Sequence, residues 1–184
     1  SASVGFTAHD KSTFGNGHHG NFFVSGPLVQ DKLGLQVYGG ADYHPEDNII
    51  GGSNRNKNRN INAKLSFTPT DKQTFILEGG RHLLEKQETP GKSLALTTTR
   101  GASVAHNQPG ATHAIRNHWS LTHQADWDVM SSELSLYQEK AKREVSTNGV
   151  VDSRKPEITN TVFDAKFMLP VANHFFVFGG QHQN

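Results

Sequence analysis

The sequence predicts an all-β chain, a transmembrane antiparallel β-barrel present in part and contributing about nine strands. Three observations lead there: apolar and polar residues alternate with period two, short and long connections alternate along the chain, and the alternating runs are long enough to cross a bilayer. Composition agrees. Only 34% of the 184 residues are hydrophobic, with Gly at 18 and Phe at 11, and no apolar stretch approaches the ~18 residues of a spanning helix. A barrel with a polar lumen needs apolar residues only at alternate positions, which reconciles low hydrophobicity with a membrane.

The clearest run is 33–44, with Leu33, Leu35, Val37, Ala41 and Tyr43 on one side and Gln36, Tyr38, Asp42 and His44 on the other. Ile61, Ala63, Leu65 and Phe67 repeat the pattern against Asn60, Asn62, Lys64 and Ser66. Trp119, Leu121, Ala125 and Trp127 oppose His118, Ser120, Gln124 and Asp126, broken only by His123 on the apolar side. Phe163, Ala165, Phe167 and Leu169 oppose Asp164, Lys166 and Met168. Segments 73–84, 133–145 and 174–183 are strand-like but less regular, and Phe175-Phe176-Val177-Phe178 leaves the last without an assignable face.

Gln30-Asp31-Lys32, Pro69-Thr70-Asp71-Lys72, Val129-Met130-Ser131-Ser132 and Pro170-Val171-Ala172-Asn173 read as tight turns. Segments near 10–20, 45–57, 85–115 and 146–159 read as long loops rich in Gly, Asn, His, Ser and Thr. This sorting is expected when turns face the periplasm and loops the exterior. Strand 33–44 should then pair with 21–29, and 73–84 with 58–68. Leu35, Val37, Leu65, Phe67, Leu121 and Phe167 should face lipid, and Lys64, Gln124, Asp126 and Lys166 the lumen. Trp119 and Trp127 lie on one face ~20 Å apart along the membrane normal, as members of two interfacial girdles would. A secreted β-sandwich or jelly roll shares the alternation but has no reason to sort its loops or to lengthen its strands beyond ~5–6 residues.

Chemical motifs are weak. Gly91-Lys92-Ser93 resembles the end of a phosphate-binding loop, but Lys86 stands where that loop needs Gly. The 11 histidines, including His18, His19, His106, His113 and His118, lack ligand spacing with a carboxylate on a rigid element. There is no cysteine and no Gly-x-Ser-x-Gly elbow, so neither an enzyme nor a metal or cofactor site is expected. A net charge of +1 without a basic face argues against nucleic acid.

The stretch Asn21-Phe-Phe-Val-Ser-Gly-Pro-Leu-Val-Gln-Asp-Lys-Leu-Gly-Leu-Gln-Val-Tyr-Gly-Gly resembles the early barrel strands of TonB-dependent catecholate-siderophore receptors, especially the colicin I receptor group. Leu65-Ser-Phe-Thr-Pro-Thr, Tyr137-Gln-Glu-Lys and Ser153-Arg-Lys-Pro-Glu-Ile-Thr-Asn-Thr match in the same order. The resemblance implies a 22-stranded barrel with a plugged lumen, localisation in the bacterial outer membrane, and import of a ferric siderophore driven by the TonB complex. It implies as partners the ferric siderophore, outer-membrane lipid and lipopolysaccharide, and TonB through a plug. Use of the loops by a colicin or phage stays open. All of 1–184 is expected to be barrel, with the plug, the remaining strands and a signal peptide outside this sequence, because a sheet with open edges in lipid needs more chain to complete it. Arg100 and Arg116 resemble the arginines with which ferric enterobactin receptors hold an anionic iron–catecholate. Parity supports Arg116 independently, since it lies opposite Trp119 and so toward the lumen. A lumen arginine that only pairs with carboxylates is the competing reading. Two other functions stay open: a passive porin-like channel, in which lumen-facing Lys64, Arg81 and Asp126 tune ion flow, and a soluble carbohydrate-binding sandwich.

Overall fold

A computed structural model describes residues 1–96 and 107–184. The strands are β1 (Ala2–Thr7), β2 (Gly17–Val29), β3 (Leu33–His44), β4 (Arg55–Thr70), β5 (Gln73–Glu88), β6 (Gly110–Asp126), β7 (Ser131–Thr147), β8 (Val150–Val151), β9 (Glu157–Val171) and β10 (His174–Gln183). They form one antiparallel meander in the order β1-β2-β3-β4-β5-β6-β7-β9-β10, with β8 paired to the end of β7. The expected pairings of β3 with β2 and of β5 with β4 are both present. Asp31, Asp128 and Ala172 adopt positive φ in three of the short turns, where short polar residues bear the left-handed region best and the Ala172 methyl offers no hydrogen bond to offset its cost. Two short turns are tied together: Lys72 pairs with Asp128, and the Asp126 N–H donates to the Lys72 carbonyl at 2.8 Å.

The register shows what the alternation does. Residues directly opposite across an antiparallel pair share a face, and Leu35, Leu65, Leu77, Leu121, Leu136 and Phe163 stand opposite one another in a single row across six strands. The row toward the turns carries Phe67, Phe75 and His123, and the row toward the loops carries Val37, Ala63 and Trp119. Phe167 lies on this same face. Lys64, Gln124, Asp126 and Lys166 lie on the other. His123, the interruption in the apolar pattern, stacks on Phe75 at 4.4 Å and meets the edge of Trp127 at 6.4 Å, joining an aromatic cluster near the turns. In β10 the register puts Phe176 and Phe178 on the apolar face and Phe175 and Val177 on the polar one.

This face has no protein layer over it. Leu77 is 49% exposed, Leu121 44% and Phe163 45%. A soluble sandwich would bury such a row against a second sheet; the described strands form one sheet. A single sheet with a continuous apolar face is covered by lipid in a barrel wall.

Three expectations are corrected. Arg81 does not face the lumen: it pairs with Ile61 and Asn117 on the apolar-row side, and the Gly79-Gly80 pair had hidden the phase of β5 from the sequence. The strands also extend past their expected ends, β4 starting at Arg55, β5 reaching Glu88 and β6 starting at Gly110. Above the bilayer both faces meet water, so a strand continues there without an apolar pattern to mark it. Finally, 146–159 is not only loop, because Asn148 and Gly149, both at positive φ, turn the chain back into β8. Asn-Gly is the expected signal for such a two-residue hairpin.

Candidate ligand-binding wall

On the polar face, the wall nearest the long loops combines cations with apolar surface. His82, Arg116, Ala141 and Ile158 stand opposite one another across β5, β6, β7 and β9. One step toward the loops, Leu84 pairs with Ala114 and Ala114 with Arg143. Arg116 and Arg143 are thus diagonal neighbours on adjacent strands, a separation that long side chains bridge. Between them lies a depression of about 420 Å³ lined by Leu84, Ala114, Pro156 and Ile158 as well as both arginines.

The two cations differ in their partners. The Arg116 guanidinium lies 3.9 Å from Glu139 Oε2, with its side chain 55% exposed. Glu139 is in turn held by the Tyr137 hydroxyl, which donates to Oε2 at 2.6 Å. Arg143 is exposed and forms no ion pair among the described residues. A lumen wall with one loosely held and one unengaged guanidinium, flanking apolar side chains, suits a planar-faced anion. Guanidinium stays protonated and offers a rigid fork of donors. Apolar walls let the ligand's rings shed water.

The structure puts Arg116 on the face that parity predicts. Arg100 lies outside the described residues. Arg143 was missed, because placing it beside Arg116 requires the β6–β7 register and its own segment has no regular alternation.

Beyond this wall the loops lock together through two adjacent carboxylates. Glu46 accepts from the Ser93 hydroxyl at 2.6 Å, the Thr89 hydroxyl at 2.7 Å and the Thr89 N–H. Asp47, only 4% exposed, accepts the Gly15 N–H at 2.7 Å and the Ser53 N–H at 2.8 Å. Burial pushes both carboxyls up, but the hydroxyl and N–H donors outweigh it and hold each below its ordinary range, with His44 and His9 adding to the effect at Asp47. The β1–β2, β3–β4 and β5–β6 connections therefore form one rim.

Known proteins resemble this chain in sequence and in fold. The iron-regulated outer membrane virulence protein of Vibrio cholerae (El Tor, serotype O1) is 34% identical over 174 residues, covering 92% of this chain and 24% of that protein. The chain is outer-membrane β-barrel wall. The probable TonB-dependent siderophore receptor PirA of Acinetobacter baumannii is 26% identical over 161 residues, covering 82% of the chain and 21% of the receptor. The chain thus spans about a quarter of the length of these curated relatives. Among solved structures, the siderophore receptor PirA from A. baumannii superposes with a TM-score of 0.72 at 19% identity, over 98% of this chain and 29% of that one. The ferric enterobactin receptor PfeA of Pseudomonas aeruginosa, as the Q482A mutant in complex with enterobactin, gives 0.66 at 19% identity, over 99% and 30%. No protein-family model matches the chain. PirA and PfeA are named as siderophore or ferric enterobactin receptors, not as enzymes.

Proposed function

We propose that this chain forms part of the barrel of a TonB-dependent receptor that imports ferric siderophores of the catecholate type. The observation that carries the reading is the pairing of Arg116 and Arg143 across an apolar depression on the lumen wall, near the loops. A ferric tris-catecholate is a multiply charged anion with aromatic faces, and the wall presents a complement to both properties. The names of the relatives, a ferric enterobactin receptor among them, support the same ligand class. Arg100, carried by resemblance, would act from the β5–β6 connection. A plug from chain outside this sequence would close the lumen and couple it to TonB.

Each charge-assisted contact is worth ~1.5–3 kcal/mol, or about ten- to a hundredfold in affinity. Arg116→Gln combined with Arg143→Gln in the full-length receptor should weaken ferric-catecholate binding by at least about tenfold while leaving heat-resistant barrel migration on gels unchanged. Wild-type affinity in a properly assembled double variant would assign these arginines a structural role. A ferric hydroxamate of neutral charge, bound better than the catecholate by the wild type, would overturn the ligand class.

A further inference from the structure

Arg116 and its carboxylate partner stand apart. In the other arginine pairs the charged groups touch, Arg59 reaching Glu85 at 2.5 Å and Arg154 reaching Asp152 at 3.1 Å. Arg116 Nη1 is 3.9 Å from Glu139 Oε2, close enough for attraction but beyond the ~3.2 Å of a good N–H···O bond. Glu139 therefore leaves the guanidinium's donors free for another acceptor.

Tyr137 accounts for the gap. Its hydroxyl donates to the same oxygen, Glu139 Oε2, at 2.6 Å. Tyr137 lies two residues nearer the short turn on the lumen face of β7, opposite Ser120 and Val162, so this bond draws the carboxylate down the wall. Arg116, opposite Ala141, and Arg143 both lie on the loop side of Glu139. His118 stands directly opposite Glu139, and its ring lies 6.4 Å from that of Tyr137. The phenol is thus packed from the neighbouring strand as well as bonded to the carboxylate.

A wall that only attracted a multiply charged anion would hold it, whereas passage requires contacts that are also given up. Building on the reading of this wall as a ferric-catecholate site, we propose that Glu139 is the exchange counter-ion of Arg116, kept at a fixed distance by Tyr137, and that it sets how readily the bound anion leaves. Before capture its charge steadies the guanidinium. During capture Arg116 turns its free donors to the ligand, and the carboxylate, still bonded to Tyr137, repels the anion from below. Tyr137 acts as a positioning residue, because it prevents the carboxylate from closing on Arg116.

The test follows labelled ferric enterobactin bound to the full-length receptor in vesicles, at equilibrium and during a chase with unlabelled ligand. Glu139→Gln keeps the side chain's shape while removing its charge, and should bind about tenfold more tightly, mainly through slower release. Tyr137→Phe frees the carboxylate to engage Arg116 and should weaken binding about threefold. In the Glu139→Gln background the same Tyr137→Phe change should have no effect. Unchanged heat-resistant migration on gels shows that each variant is assembled. Unchanged or weaker binding by assembled Glu139→Gln would overturn the proposal; if Arg116→Gln combined with Arg143→Gln still loses affinity beside it, the reading of the wall survives. Wild-type affinity in that double arginine variant, or no binding by the wild type, would remove the reading and the proposal together. An equal effect of Tyr137→Phe with and without Glu139 would overturn its positioning role and make the phenol a ligand contact or a structural group.

Discussion

Below Trp119 and above it, the same strands solve different problems. In the lower region adjacent residues meet different solvents. Leu77 belongs to the apolar row, while Glu78 beside it faces Lys64 and Ser120 and accepts a hydrogen bond from Tyr38 at 3.3 Å. In the upper region both faces are polar: outward Arg59 pairs with Glu85 and Lys140 with Glu157, while Arg116 and Arg143 point inward. A strand of 16 residues such as β5 rises ~40 Å at a 40° tilt, more than the ~25 Å apolar band requires. The lower part is therefore specified by lipid, and the upper part by ion pairs and by carboxylates that tie loops together.

The largest break in this contrast should come from charging the lower outer face. Leu77→Arg in the full-length receptor should cost ~2–4 kcal/mol in a folding titration in lipid vesicles, whereas Ser120→Arg, next to it on the lumen face, should stay within about 0.5 kcal/mol. Equal costs would mean that the two faces are not separated by lipid.

The rim offers a second test through acid. Asp47 has a folded-state value below its ordinary 3.8 and Glu46 one below its ordinary 4.5. Such lowered values mean that the stabilisation is complete above the ordinary range and is lost as pH falls through the lowered values. Hydrogen exchange at Gly15, Ser53 and Thr89, corrected for the intrinsic pH dependence of exchange, should show steady protection from neutral pH down to about pH 5 and a loss of protection below about pH 4. Protection of strand amides in the lower region should persist. Asp47→Asn should lose protection at Gly15 and Ser53 already at neutral pH. Uniform loss across rim and lower strands would remove the distinction between them.

The smallest effect is expected at an outward ion pair of the upper region. Glu85→Gln removes the partner of Arg59, whose side chain is 43% exposed, and should cost no more than ~1 kcal/mol. A cost near that of Leu77→Arg would place Glu85 inside the apolar band and shift the membrane level upward.

Legibility in the sequence follows the same division. Leu35, Leu65, Leu121 and Phe167 could be assigned a face because lipid selects every second residue there. Arg55, Asn56, Lys57, Glu85 and Ala114 are equally part of strands, but water on both sides leaves no period to read, so the expected strands end too low. Arg81 failed for a local reason, the Gly79-Gly80 pair, and Phe175 to Phe178 because four successive apolar residues carry no phase. The candidate wall was legible only at Arg116, through its distance from Trp119. Arg143 became visible when the register set it diagonal to Arg116, information that no single segment contains. Asn148-Gly149 was the opposite case, a readable hairpin signal lost inside a segment taken as loop.

The face assignment, on which the proposed site depends, is tested most directly by a nitroxide scan along β5, since the chain has no native cysteine. Single cysteines at 74–82 in the full-length receptor in vesicles, each spin-labelled, would be exposed in turn to oxygen, which partitions into lipid, and to a water-soluble nickel chelate. Labels at 75, 77 and 79 should favour oxygen and those at 74, 76 and 78 the chelate, with the alternation fading at Arg81 as the wall leaves the bilayer. Alternation of opposite phase, or none across 74–79, would contradict the account.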